Sequence, residues 1–218
     1  TQDYLNIQTG RRTVPNVFIG GRSFGGAKEI ENAHLNGRLE QILKDYHRAY
    51  GMNSVGLRYF NAAGADPEGE VGELREKETH IIPLAIAAAR QGKTFKMFGD
   101  KYPTQDGTCV RDYIHVMDLA DAHVKALNYA SASLRSDVFN LGSGAPASNK
   151  QLLDEIQKHT GQMNIEIYGN RPGDPAYLVA DITKAKEILG WQPTQSSIDN
   201  VVATAVQWYN KTHKKEIQ

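Results

Sequence analysis

The sequence predicts an α/β fold. Short runs rich in β-branched and aromatic residues alternate with amphipathic stretches along most of its length. Glycine, proline and capping residues fall between those runs, and no internal repeat or low-complexity linker breaks the order.

The first element follows a Val-Pro step: Val17–Ile19 is a short apolar strand that runs out into the glycine pairs Gly20-Gly21 and Gly25-Gly26. Ile30–Tyr50 reads as helical with a break near Asn36-Gly37. SVGLRYFN, from Ser54, is a strand, and AAGADPEGEVGE a loop. HIIPLAIAAARQGK is a helix that tolerates Pro83 only near its first turn. TFKMFG alternates as a strand does. HVMDLADAHVKALNYA is a helix, with Asp118 placed to cap it and Leu119, Ala122, Val124, Ala126 and Leu127 forming its buried stripe. DVFNLGSG is a strand. Ser148 and Gln151 make a capping-box pattern ahead of LLDEIQKHTG, which closes on Gly161. NIEIYG is a strand; TKAKEILGWQP is a helix, capped by Asp181 and ended by Gly190 and Pro193. SSIDNVVATAVQWYNK is a last amphipathic helix.

Bulk properties narrow the function classes. The 218 residues carry 25 basic and 25 acidic side chains, which leaves no basic footprint for nucleic acid. No apolar run approaches the ~18 residues that span a bilayer, and TQDYLNIQTGRR has no signal-peptide core. The single cysteine, Cys109, excludes an intrachain disulfide and a multi-thiolate metal site, so a cytoplasmic protein is expected, with no metal. A start at Thr1 reads as a piece of a longer chain or a processed one.

The densest chemistry lies in GDKYPTQDGTCVRDYIHVMDLADAHVKA, from Gly99. Arg111 follows a turn-rich loop, where its guanidinium forks onto a phosphate or carboxylate, or else pairs with Asp112 or Asp118. His115 within YIHV is a satisfied core histidine or a base.

This block, with LRYFNAAGADPEGEVGE, HIIPLAIAAARQGK, VFNLGSG and RPGDPAYLVADITKAKEILGWQP, resembles the UDP-glucose 4-epimerase family of extended short-chain dehydrogenase/reductases. The resemblance starts near Leu39 and runs to the C-terminus. It implies the distal part of a Rossmann-type sheet plus a small α/β part that grips UDP-glucose or UDP-galactose, with NAD as cofactor and a homodimer as the common assembly. By motif match, Phe60 lies near the nicotinamide and Asn61 meets the sugar nucleotide. Thr79, His80 and Ile81 line the nucleotide pocket, and Lys96, Met97 and Phe98 lie against the uracil. Arg111 and Arg171 hold the diphosphate, and Asp174 the ribose. Tyr177 falls one residue short of the usual spacing. Neither the family's Gly-rich cofactor loop nor its Tyr-x-x-x-Lys pair occurs in the sequence, and counting back puts His34 and Arg38 in the places of that pair. The chain is therefore expected to be inactive by itself, and a non-catalytic UDP-sugar-binding module is the alternative.

The opening stretch QTGRRTVPNVFIGGRSFGGAKEIENAHLNGRLEQIL resembles the C-terminal half of a glutaredoxin. That resemblance implies a thioredoxin-like fragment in which Thr13, Val14 and Pro15, the last after a cis bond, offer backbone to glutathione, and Gly20 and Gly21 allow close approach. A glutathione-linked redox protein is thus a further alternative, although Cys109 lies far downstream. The expected organisation is residues 1–43 glutaredoxin-like and 44–218 epimerase-like, two partial parents joined through GRLEQIL.

Overall fold

The computed structural model describes residues 17–19, 22–25, 27–75, 77–133 and 135–213, with side chains from Glu29 onward. Two compact units meet in the chain between Ser54 and Val55. Thr13, Val14, Pro15, Gly20 and Gly21 lie outside the described residues. In the first unit, β1 (Val17–Ile19) pairs antiparallel with β2 (Arg22–Gly25), and helices α1 (Ala27–Leu35) and α2 (Arg38–Tyr50) follow. The helical break falls at Asn36-Gly37 as the sequence indicates, and Asn36 Oδ1 accepts the backbone N–H of Arg38 at 3.1 Å.

The second unit is built from short parallel pairings. Strand β3 (Val55–Tyr59) lies beside β8 (Asp137–Leu141), and β4 (Asn61–Ala63) beside β7 (Tyr113–His115). The sequence predicts one strand there and a loop from Ala62. The chain instead changes partner at Phe60: its N–H goes to Leu141 O at 3.1 Å, and the next N–H, of Asn61, goes to Asp112 O at 3.0 Å. Strand β5 (Phe95–Phe98) runs parallel to β10 (Ile165–Tyr168). A third set pairs β6 (Val110–Arg111) with β9 (Ala147–Ser148) and β11 (Tyr177–Leu178).

Helices cover these strands on two cores. One core joins α3 (Ile81–Arg90), α5 (Asn149–Thr160) and α7 (Ile198–Thr212) through Ile86, Leu152, Ile156, Val201 and Val202, all buried. Pro83 sits in the first turn of α3, where no N–H is lost to the helix ladder. The other core gathers Ile114, Phe139, Leu141 and Trp191 around α4 (Val116–Ser133) and α6 (Thr183–Leu189). The capping box forms as read: Ser148 Oγ accepts from Gln151 N at 3.1 Å, and Gln151 Oε1 accepts from Ser148 N at 2.9 Å. Asp181 Oδ1 likewise takes the Thr183 N–H at 3.0 Å.

Two expectations for α4 are corrected. Leu119, Ala122 and Ala126 are buried, but Val124 and Leu127 are 60% and 68% exposed, so the buried stripe is narrower than periodicity suggested. Asp118 does not cap the helix. It is buried inside the first turn, and its carboxylate accepts the N–H of Thr194 at 2.9 Å, the N–H of Gln195 at 2.9 Å and the Ser196 hydroxyl. It thereby anchors the segment that leads into α7.

Replacing Asp118 with Ala leaves those buried donors unpaired, so we expect a loss of about 3 kcal/mol. The exposed Asp121→Ala should cost under about 0.5 kcal/mol. Urea unfolding of both variants checks this; equal losses would remove the anchoring role.

Candidate functional site

The second unit contains a cleft of about 860 Å³. Its walls are the start of β4, the segment before α3 and α3 itself, β5, Arg111 at the end of β6, and the turn after β10. Asn61, Thr79, His80, Ile81, Lys96, Met97, Phe98, Arg111, Arg171 and Asp174 all line it. Tyr177 and Phe60 are not among the lining residues. Tyr177 lies on β11, paired with Val110, and is 56% exposed. Phe60 packs against the apolar cluster around Ile114 and Phe139. His34 and Arg38 belong to the first unit, where His34 Nδ1 lies 3.8 Å from Glu40 Oε1.

Each polar group of the cleft is set by a local cause. Arg171 to Asp174 form a turn in which the Asp174 N–H reaches Arg171 O at 3.3 Å. Pro172 fixes the first corner, and Gly173, at φ +85°, supplies the positive φ that the second corner demands. The turn aims the Arg171 guanidinium at the ring of Phe98, 4.0 Å from its centroid. Arg111 is held differently. One terminal nitrogen donates to Val110 O at 2.9 Å and to Pro175 O at 2.8 Å, and the other stands 3.8 Å from Asp174. The ion pairs with Asp112 or Asp118 weighed from sequence do not form, because both of those carboxylates are buried on other donors.

Asn61 uses its side-chain N–H to reach Asp112 O at 2.9 Å. A carbonyl only accepts, so the amide nitrogen must face it, which fixes the orientation of the Asn61 side chain. His115 is the satisfied core histidine: it is fully buried, Nδ1 accepts the Met117 N–H at 3.1 Å, and Nε2 donates to Thr204 Oγ1 at 3.0 Å. Burial pushes its imidazole below the usual value, against the opposing pull of Asp118. Burial likewise pushes the Tyr113 phenol up, with its ring in the core and the residue on the cleft wall.

Sequence reasoning missed the far wall. Glu73, Leu74, Arg75 and Glu78 come from the loop before α3, and Trp208, Tyr209 and His213 from the end of α7. Trp208 Nε1 donates to Glu73 O at 2.7 Å, a contact across 135 residues that no local pattern announces. Glu78 Oε1 gathers the N–H of Thr79 at 2.6 Å, the N–H of His80 at 2.7 Å and the His80 ring at 2.9 Å. Burial pushes this carboxyl up, but those donors more than offset it and hold it below the ordinary carboxylate range.

Among the described residues, two His–carboxylate groups have donor atoms close together, Glu73/Glu78/His80 and Glu155/His159/Asp199. Protein partners already occupy both: Arg75 pairs with Glu73, backbone N–H groups with Glu78, and Lys158 with Glu155.

Residues 38–142 match the model of the NAD dependent epimerase/dehydratase family. That segment, just under half of the chain, carries the likeness to the family. Among its relatives are the UDP-glucose 4-epimerases of Rhizobium meliloti (strain 1021), 50% identical over 179 residues, and of Lacticaseibacillus casei, 46% identical over 173. These matches take in 80% and 78% of this chain but 54% and 52% of the relatives, so the chain spans about half their length. The chain is also similar to the solved UDP-glucose 4-epimerase of Brucella ovis in complex with NAD, with TM-score 0.74, 38% identity, and coverage of 92% of this chain and 61% of that one. For the Bifidobacterium longum enzyme in complex with NAD⁺ and UDP, the TM-score is 0.70 and the identity 34%, with 88% and 58% covered. The distal Rossmann-type α/β architecture read from the sequence agrees with these likenesses.

Because Glu78 ionises more readily folded than unfolded, its contribution to stability is full above about pH 4.5 and is lost as pH falls through its folded value. Glu78→Gln should therefore flatten part of the fall in stability between about pH 5 and pH 3. Thermal melts across that range check it; an unchanged slope would show that the Thr79, His80 and ring donors do not favour the ionised form.

Proposed function

We propose that this chain is the UDP-sugar-gripping part of a UDP-glucose 4-epimerase, which by itself binds the nucleotide weakly and does not turn it over. The observation that carries the reading is one cleft lined by Arg111, Arg171, Asp174, Asn61 and Phe98. Two guanidinium groups suit a diphosphate, since each presents a planar fork to its oxygens. Arg111 is preorganised, with one terminal nitrogen tied to the Val110 and Pro175 carbonyls and the other, 3.8 Å from Asp174, on the cleft wall. Asp174 accepts hydroxyl donors such as those of a ribose. Asn61 is oriented by Asp112 and presents its amide oxygen to a sugar hydroxyl. Tyr177, exposed on β11, would have to approach the ligand from the strand that flanks Arg111.

The residues present do not fit NAD. The sequence holds no G-x-x-G-x-x-G or G-x-G-x-x-G loop to receive a pyrophosphate, and Phe60, which the family resemblance puts near the nicotinamide, packs into an apolar cluster. Residues beyond this chain must supply that grip in a complete epimerase.

We further infer a cytoplasmic location and self-association, the latter favoured by exposed Val124 and Leu127 on α4. Among the described residues no helix is long and apolar enough to cross a membrane.

Two charge-assisted contacts of about 1.5–3 kcal/mol each, offset by ordering costs, put the expected UDP dissociation constant in the high micromolar to millimolar range, on the order of 1 mM. Calorimetric titration should show binding largely lost in Arg111→Ala and also weakened in Arg111→Lys, which keeps the charge but not the fork. Equal binding by all three proteins would return Arg111 to a purely structural part. The purified chain should also carry no NAD absorbance and leave UDP-galactose unconverted in a coupled assay; turnover above background would overturn the inactive reading.

A further inference from the structure

Strand β5 places alternate side chains on opposite faces. Phe95 and Met97 are buried in the core, whereas Lys96 is exposed and Phe98 half-buried on the outer face. In the parallel partner β10, Tyr168 stands opposite Phe98, with ring centroids 5.5 Å apart. Three residues later the turn returns the chain, and the Arg171 guanidinium lies over the Phe98 ring at 4.0 Å. Both residues line the cleft.

That ring is the flat apolar surface on which a nucleobase would stack, and the guanidinium occupies its face at stacking distance. A base and Arg171 cannot lie on the same face together. Stacking of a base on that face therefore requires Arg171 to leave, and leaving forfeits the cation–π contact. A diphosphate on the incoming molecule compensates, because it offers Arg171 an anionic partner in the cleft that Arg111 also lines. A nucleoside without phosphates offers nothing in exchange.

We propose that Arg171 is a specificity-determining residue: by covering Phe98 until a phosphate draws it away, it makes the cleft demand a base and a diphosphate on one molecule. This inference rests on the reading of the cleft as a uridine diphosphate site. It predicts opposite effects of one substitution on two ligands. Arg171→Ala uncovers the ring, so uridine should bind about three- to tenfold tighter than to the unmodified chain. The same substitution removes a phosphate contact, so UDP should bind at least about tenfold more weakly. Phe98→Leu removes the stacking surface and should weaken uridine whether or not Arg171 is present.

Two-dimensional NMR titrations of the full chain, Arg171→Ala and Phe98→Leu with uridine and with UDP decide it. A gain for uridine together with a loss for UDP in Arg171→Ala supports the proposal. Uridine affinity unchanged or lowered in Arg171→Ala, with UDP still bound by the unmodified chain, would overturn this inference alone. UDP failing to bind the unmodified chain would overturn the reading of the site itself.

Discussion

The cleft depends on one buried residue, Asp112. Its side chain is fully buried and lies among donors: the Ser143 N–H at 2.6 Å, the Ser143 hydroxyl at 2.6 Å and the Ala180 N–H at 3.1 Å. Its own carbonyl accepts the N–H and the side-chain amide of Asn61. A buried carboxylate is costly unless its lone pairs are met, so the segments after β8 and after β11 are drawn to it, while the backbone carbonyl of the same residue holds the start of β4. Gly142 makes the approach possible: a Cβ there would lie 2.2 Å from the Asp112 carboxylate and 2.6 Å from the Ala180 methyl. Arg111 precedes Asp112 in the chain and Asn61 hangs from its carbonyl, so ligand-facing groups on two strands inherit their positions from one structural acid.

Around that point the cleft is organised by charges fixed to different degrees. Arg111 is tied to backbone carbonyls and moves little without breaking them. Arg171 rides on an exposed turn and rests on an aromatic face, a contact strong enough to place it and weak enough to release it. Fixed and movable cations together suit a ligand whose phosphates arrive joined to a base. The opposite wall is acidic, but Glu73 and Glu78 are held by Arg75, His80 and backbone donors, which limits their repulsion of an anion.

Much of this was legible in the sequence where one local rule decides the outcome. The break before Arg38 needs only Asn36-Gly37, α5 needs only Ser148 and Gln151, and the Arg171–Asp174 turn needs only its Pro-Gly pair. Local rules failed where a distant partner competes. Asp118 has the look of a cap, yet the N–H groups that claim it are more than 70 residues away. Val124 and Leu127 fit a helical stripe, but nothing in the described structure covers them fully. Strand β4 was invisible because its pairing with Tyr113–His115 is a long-range event in a stretch rich in alanine and glycine. The cleft's far wall, from Glu73 to Trp208, escaped notice for the same reason.

The central claim is that strands fixed by Asp112 present one nucleotide-diphosphate site. Mapping amide chemical-shift changes on titrating UDP into the ¹⁵N-labelled chain tests it most directly. The account predicts shifts concentrated at Asn61, Phe98, Arg111 and the Arg171–Asp174 turn, which all line the cleft. Saturable shifts confined to other surfaces, with those residues unmoved, would contradict it.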